Sequence, residues 1–186
     1  MPSPVAHSLI GLTIGLAWLA PRAPLREWPA KVWALRWPLV GALFVANAPD
    51  LDYLPGIAIG ELNAFHHTYT HTLAFIVAVA LLMALAYRRH ARAGGWLFAL
   101  GASHLAADVV TEDRRAPFGI MALWPFSPEY WISPVSVFWH LRKREWGDML
   151  QWHNAHAVLV EIAWCLPLVL LMIYWKTRCS SLTPET

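Results

Sequence analysis

Charge is scarce in this sequence. Asp, Glu, Lys and Arg make up 14% of its 186 residues against 58% hydrophobic, and the formal net charge is only +2. An ordinary soluble domain carries about a quarter charged residues, so so little charge argues against a water-facing surface, and no basic patch points to nucleic acid. Cysteine is nearly absent too: Cys165 lies in an apolar run and Cys179 in a polar tail, which excludes a disulfide framework and gives no sign of redox chemistry. The opening residues MPSPVAHS lack the positive n-region of a cleaved secretory signal, so the first apolar run is expected to remain as a helix. Internal repeats and low-complexity stretches are missing as well, and a separate soluble domain is not expected.

Long apolar runs are what the chain has instead. A hydrocarbon core about 30 Å thick takes about twenty apolar residues per helix, which sets this length at roughly four to six spans. Five segments qualify on hydropathy: Val5 to Ala20, Val32 to Ala48, Thr70 to Tyr87, Gly95 to Thr111 and Ala157 to Trp175. Arg36 and Pro38 in the second predict a snorkelling side chain and a kink near one end. Before the last span, GIMALWPFSPEYWISPVSVFW mixes aromatics with Pro125, Pro128 and Pro134, a composition that suits the membrane interface. The expected fold is therefore an all-α integral membrane protein, a compact bundle of about five transmembrane helices with an aromatic, Pro-rich interfacial loop before the last. Residues 1–176 form a single membrane domain and 177–186 a polar cytoplasmic tail.

The positive-inside rule orients the bundle. Arg22, Arg26, Lys31 and Arg36 cluster after the first span, Arg88, Arg89 and Arg92 after the third, and Lys176 and Arg178 follow the fifth. The first six residues and the connection Asn47 to His67 contain neither Lys nor Arg. The remaining basic residues, Arg114, Arg115, Arg142, Lys143 and Arg144, fall in the long outer loop among Glu112, Asp113, Glu129, Glu145 and Asp148. The topology reads N-terminus outside, C-terminus in the cytoplasm.

In that frame the polar residues gather at one depth. His7 is near the outer end of the first span, Asp50 and Asp52 follow the second, and His66, His67 and His71 open the third in HHTYTH. His104 and Asp108 lie in the outer half of the fourth, while His153, His156 and Glu161 lead into the fifth. Ionisable groups at membrane depth are costly without a partner, a water-filled cavity or a metal. Imidazole with carboxylate suits zinc, manganese or iron. His104 and Asp108, four apart, share one helix face and give the sharpest local signal.

Other readings stand beside these. Asp50 and Asp52 also fit a turn after Pro49, and His153, His156 and Glu161 also fit an aromatic belt beside Trp152. His90 and His140 read as solvated. Spacing alone leaves open whether His66 or His67 accompanies His71.

Several pieces together resemble the YdjM-like family of inner-membrane, metal-dependent hydrolases: MPSPVAHSLIG, APDLD, FHHTYTHTL and SHLAADVVTEDRRAPFGIMALWPFS, spread over about the first two thirds of the chain. The family pattern His-Arg-Gly-x-Thr-His maps its histidines onto His66 and His71, with His67 and Thr68 where Arg and Gly are common. The insert EDRRAPF delays Gly119. The arrangement is also similar, more faintly, to zinc-dependent phospholipases C and single-strand nucleases, whose His-x-x-x-Asp pair matches His104 and Asp108 and which favour phosphoesters. Their His-x-x-x-Glu is not matched, since Glu161 follows His156 by five.

The expectation is a hydrolase in which His7, Asp50, Asp52, His66, His71, His104 and Asp108 hold one or two divalent ions, most simply Zn2+, with Mn2+ as an alternative. Asp52 or Glu161 would take a proton from the attacking water. The substrate is expected to be a membrane lipid or lipid-like phosphoester, Arg114 and Arg115 are candidates to attract its headgroup, and the aromatic loop Phe118 to Trp139 would cover the pocket. The rivals are an ion or proton transporter or channel, whose polar path should extend across the bilayer, and a non-catalytic scaffold with a closed structural metal site.

Overall fold

A computed structural model describes residues 1–61, 64–86, 91–114, 116–143 and 146–178. Arg88, Arg89, His90, Arg115, Arg144, Glu145, Cys179 and the tail from residue 179 onward lie outside the described residues.

Among the described residues, seven α-helices run α1 (Pro4–Leu19), α2 (Trp28–Ala34), α3 (Arg36–Asn47), α4 (Tyr53–Ala58), α5 (Leu73–Ala86), α6 (Ala91–Val109) and α7 (Trp152–Arg178). Short 3-10 turns occupy Ala48–Asp52, Tyr69–His71 and Trp146–Leu150. Among the described residues there is no strand, only the isolated bridges Thr111 to Phe138 and Ile120 to Trp131. By length and composition α7 can cross a membrane; α1 and α5 are apolar but shorter, at 16 and 14 residues.

Local chemistry explains the boundaries. α1 starts where the Ser3 hydroxyl accepts from the Val5 amide and Pro4 fills the first helical position, which needs no donor. The second expected span is broken at Leu35 rather than bent at Pro38. A new start at Arg36 leaves Pro38 in the first turn of α3, where its missing N–H costs no hydrogen bond. α3 ends at Asn47, whose side-chain amide donates to the Leu43 carbonyl at 2.7 Å and to Ser8 Oγ at 3.1 Å. Pro49 then turns the chain into the 3-10 segment carrying Asp50 and Asp52.

α1 is central, packing against α3, α6 and α7, and α5 packs on α6. Small residues let the backbones approach, as in membrane helix pairs: a Cβ at Gly11 would come within 2.6 Å of Ala46 Cβ, and one at Gly101 within 2.7 Å of Ile76. α7 holds α1 at both ends. At one, Ser3 N–H donates to Glu161 Oε1 at 2.7 Å and its hydroxyl to Oε2; at the other, Lys176 Nζ donates to the Ala17 and Ala20 carbonyls at 2.8 and 2.6 Å. Leu16, Leu39 and Val169 fill the interior toward the Lys176 end. At the Glu161 end the interior is polar.

The aromatic segment folds back over that polar end. Ser133 and Val137 donate to the carbonyls of Val109 and Val110 at the close of α6, Glu112 N–H to Phe138, and Leu73, which opens α5, donates to Ala122. Ile120 and Trp131 exchange two backbone hydrogen bonds.

Candidate metal centre

Four elements deliver one buried cluster: His7 from the second turn of α1, Asp50 from the turn after α3, His71 from the turn before α5, and His104 and Asp108 from successive turns of α6. Two imidazole nitrogens and two carboxylates converge. His104 Nε2 is 3.2 Å from His71 Nε2, 3.2 Å from Asp108 Oδ2 and 3.6 Å from Asp50 Oδ1. His71 Nε2 is 3.4 Å from Asp50 Oδ1 and 3.5 Å from Asp108 Oδ2.

Second partners fix which ring atoms face inward. His104 Nδ1–H donates to the Ala46 carbonyl at 2.7 Å, and a carbonyl can only accept, so Nε2 is left to face His71 as a lone pair. His71 Nδ1 is 3.1 Å from Asp52 Oδ2, which also accepts from Thr70 Oγ1 at 2.9 Å. His71 Nε2 therefore points at the cluster with its proton held on the far side of the ring. Two ring nitrogens that face one another as acceptors, flanked by two carboxylates, concentrate electron density that a proton on one of them relieves only locally. A divalent cation among them compensates all four.

The spacing fits this. A tetrahedral zinc with bonds near 2.0–2.1 Å separates its ligand atoms by about 3.3 Å, and the five separations above span 3.2 to 3.6 Å. Both nitrogens of His7, both oxygens of Asp108 and Asp50 Oδ1 are buried without a hydrogen-bond partner, a costly state that ligation would resolve. His7 Nε2 approaches Asp108 Oδ1 at 3.6 Å, while Asp108 Oδ2 faces His71 and His104. His104 is thus shared between two ligand groups, one with His7 and Asp108, the other with Asp50 and His71.

His66, Asp52 and His67 form an outer layer. His66 Nδ1–H donates to Asp52 Oδ1 at 2.9 Å, and its Nε2 contacts Met1 Sδ. Burial raises the Asp52 pKa, but the hydrogen bonds to His66 and His71 outweigh it and hold the carboxyl below the usual range. Burial pushes His66 down to about 4 despite Asp52, and His67 down to about 2. Both rings are thus neutral near pH 7 and fit to ligate. His67, at φ 65°, occupies the left-handed region that non-glycine residues seldom adopt, and its Nε2 is buried without a partner. His66, His67 and His71 offer ligand atoms within 4.8 Å of one another.

Other expected site residues are placed elsewhere. Glu161 does not join the imidazoles: both its oxygens accept from Ser3, the polar group nearest it at the start of α1. Asp52, expected as a proton acceptor, has both oxygens engaged by His66, His71 and Thr70. His140, expected in solvent, is largely covered and donates to Glu112 Oε2 at 2.8 Å. His153 donates to the His140 carbonyl, and His156 packs edge-on against Trp152. Arg114 is engaged by Glu112, at 2.7 Å.

One residue escaped the sequence reading, Lys143. It lies in a loop of mixed charge, and nothing in its neighbours signals that it folds back to donate to Tyr53 Oη, directly after Asp52.

A bundle of helices with a buried His/Asp cluster at one end, sealed by apolar packing at the other, defines a helical protein with a candidate metal centre. The sequence model of the YdjM inner membrane protein family matches residues 1–179, and the chain belongs to that family. No curated protein and no solved structure matches it.

Proposed function

We propose that this chain is a membrane-embedded, metal-dependent hydrolase that cleaves a phosphoester or related bond in a lipid-like substrate at the extracytoplasmic surface. One observation carries this reading: of the four converging side chains, His71, His104 and Asp108 are 0–1% exposed, whereas Asp50 is 14% exposed and lines a cavity of about 570 Å³. The cluster is closed on every side but the one where a substrate would enter.

In the proposed roles, His71, His104 and Asp108 would hold a divalent ion whose remaining position is left for water, with His7 able to extend the set to a second. When bound, such an ion supplies a water acidic enough to attack at neutral pH and polarises the scissile oxygen. Asp52 and the Ala46 carbonyl orient the two imidazoles. Asp50, at the accessible edge, takes a proton from entering water. The aromatic segment, tied to the ends of α5 and α6, limits solvent at the site.

The family description and the apolar helices support an inner-membrane bundle of about five spans. The basic connection 21–37 lies at the end of α1 opposite His7, so the positive-inside rule places the cluster outside, with the N-terminus. The apolar packing of Leu16, Leu39 and Val169 toward the inner end supports an enzyme over a transport path. A closed structural metal site is the second reading of the same His/Asp groups, and the experiment separates the two. Purified full-length protein is assayed for metal content and for hydrolysis of phospholipids, before and after chelation, alongside His104→Ala. The expected result is turnover that chelation abolishes and zinc or manganese restores, absent in His104→Ala. Stoichiometric metal without turnover of any phospholipid would establish the structural site instead.

A further inference from the structure

The cavity that reaches Asp50 has apolar walls and the cationic side chains Arg142 and Lys143 in its lining. Ile57, Leu141 and Val158 line it, and Lys143 lies beside Tyr53 and Asp50. Its volume, about 570 Å³, is that of a small-molecule site, with room for a headgroup and a length of acyl chain rather than a lone inorganic ion.

Lys143 is held in place from several sides. Its ammonium donates to Tyr53 Oη. Tyr53 stacks on His66 with ring centroids 4.0 Å apart, so the ammonium is tied to the segment that carries Asp50 and Asp52. Its own loop is clamped by buried Asn154, which accepts from Arg142 N–H at 2.9 Å and donates to the carbonyls of Arg142 and Asp148 at 2.8 and 2.9 Å. Burial pushes the Lys143 ammonium down to about 8, partly offset by Asp50, Asp108 and Asp52.

A divalent ion among Asp50, His71, His104 and Asp108 would offset the two carboxylate charges and leave Lys143 and Arg142, which both line the cavity, as its positive side chains. Two positive groups at the head of an apolar cavity are complementary to one kind of occupant: an anionic headgroup attached to a hydrocarbon chain.

We infer that the cavity binds a lipid with a phosphate-class headgroup, Lys143 contacting the phosphate oxygens beside Asp50 and the chain lying against Ile57, Leu141 and Val158. The inference rests on the hydrolase reading for its orientation at the cluster, but it is tested by binding. Zinc-loaded full-length protein in detergent is titrated with a short-chain phosphatidic acid, the matching diacylglycerol and inorganic phosphate, and zinc content is measured in parallel. Phosphatidic acid should bind at least about tenfold more tightly than diacylglycerol, as a charge-assisted contact requires. Lys143→Met should weaken phosphatidic acid binding about tenfold or more with zinc retained, and Lys143→Arg should recover most of it. Val158→Trp, which fills the cavity, should weaken phosphatidic acid and leave inorganic phosphate unchanged. Equal binding by Lys143→Met and the wild type, equal binding of diacylglycerol, or inorganic phosphate binding as tightly as the lipid would each overturn the inference. Selective lipid binding without turnover would remove the hydrolase reading and leave the site; turnover with binding insensitive to Lys143 would do the reverse.

Discussion

His7 lies flat on His104, their ring centroids 3.8 Å apart and their planes within 15°. The first helix and α6 thus meet through two imidazoles, one with its Nδ1 committed to Ala46 and the other with both nitrogens unpartnered. The stack and the ligand role can be separated. His7→Phe keeps the flat contact and removes the nitrogens; it should fold with near-native melting temperature yet bind zinc with lower affinity or reduced stoichiometry, read by metal analysis after equilibrium dialysis. Unchanged zinc binding would make His7 a packing residue.

Removal of a converging ligand is a harsher change. His104→Ala deletes a ligand nitrogen, the bond to Ala46 and the surface on which His7 rests. Zinc should be lost at any practical concentration, and the apo-protein should be destabilised by about 2–5 kcal/mol as expected of a large-to-small change in a packed interior. Denaturant unfolding in detergent checks the second figure.

Asp52 acts on the cluster through His71 and His66. Asp52→Asn should reduce zinc affinity by about 10- to 100-fold, the usual cost of losing an orienting carboxylate. Full occupancy should return at raised zinc concentration, unlike His104→Ala. Isothermal titration of both variants distinguishes them.

Glu161 holds the start of α1 through two hydrogen bonds from Ser3. Glu161→Ala leaves a buried N–H and hydroxyl unpaired, at about 1–3 kcal/mol for an unsatisfied buried group. The melting temperature should fall, and Ser3→Ala should lower it by less, because it spares the amide bond. Zinc affinity in Glu161→Ala should change little compared with Asp52→Asn.

Lys143 gives the pH dependence a sign. Burial places its titration near 8, and the ammonium is the form that attracts an anion. Phosphatidic acid binding should therefore be strong below that value and weaken as pH rises through it, while Lys143→Arg should stay flat because guanidinium keeps its charge. Titrations between pH 7 and 9.5 test this.

Much of the centre was legible because lipid makes polarity conspicuous. His7, His104 and Asp108 stand out in apolar runs, and their spacing of three helical turns or fewer from a common end already groups them. What was not legible depends on partners remote in sequence. Nothing local tells that Glu161 meets Ser3, 158 residues away, or that Lys143 reaches Tyr53, 90 residues away. The break at Leu35 was missed for another reason: Pro38 allows either a kink in one helix or a restart, and the tertiary packing of α3 on α1 selects the restart.

The grip of α7 on both ends of α1 bears on how the protein is made. α1 leaves the ribosome first and α7 last, so the segment that carries His7 waits through almost the whole of synthesis for Glu161 and Lys176 to seat it. A chain stalled before α7 would insert its histidines without the anchor that sets their depth. All the candidate donors precede α7 in the chain, so what α7 adds is the anchorage of the helix that carries His7 and not a ligand.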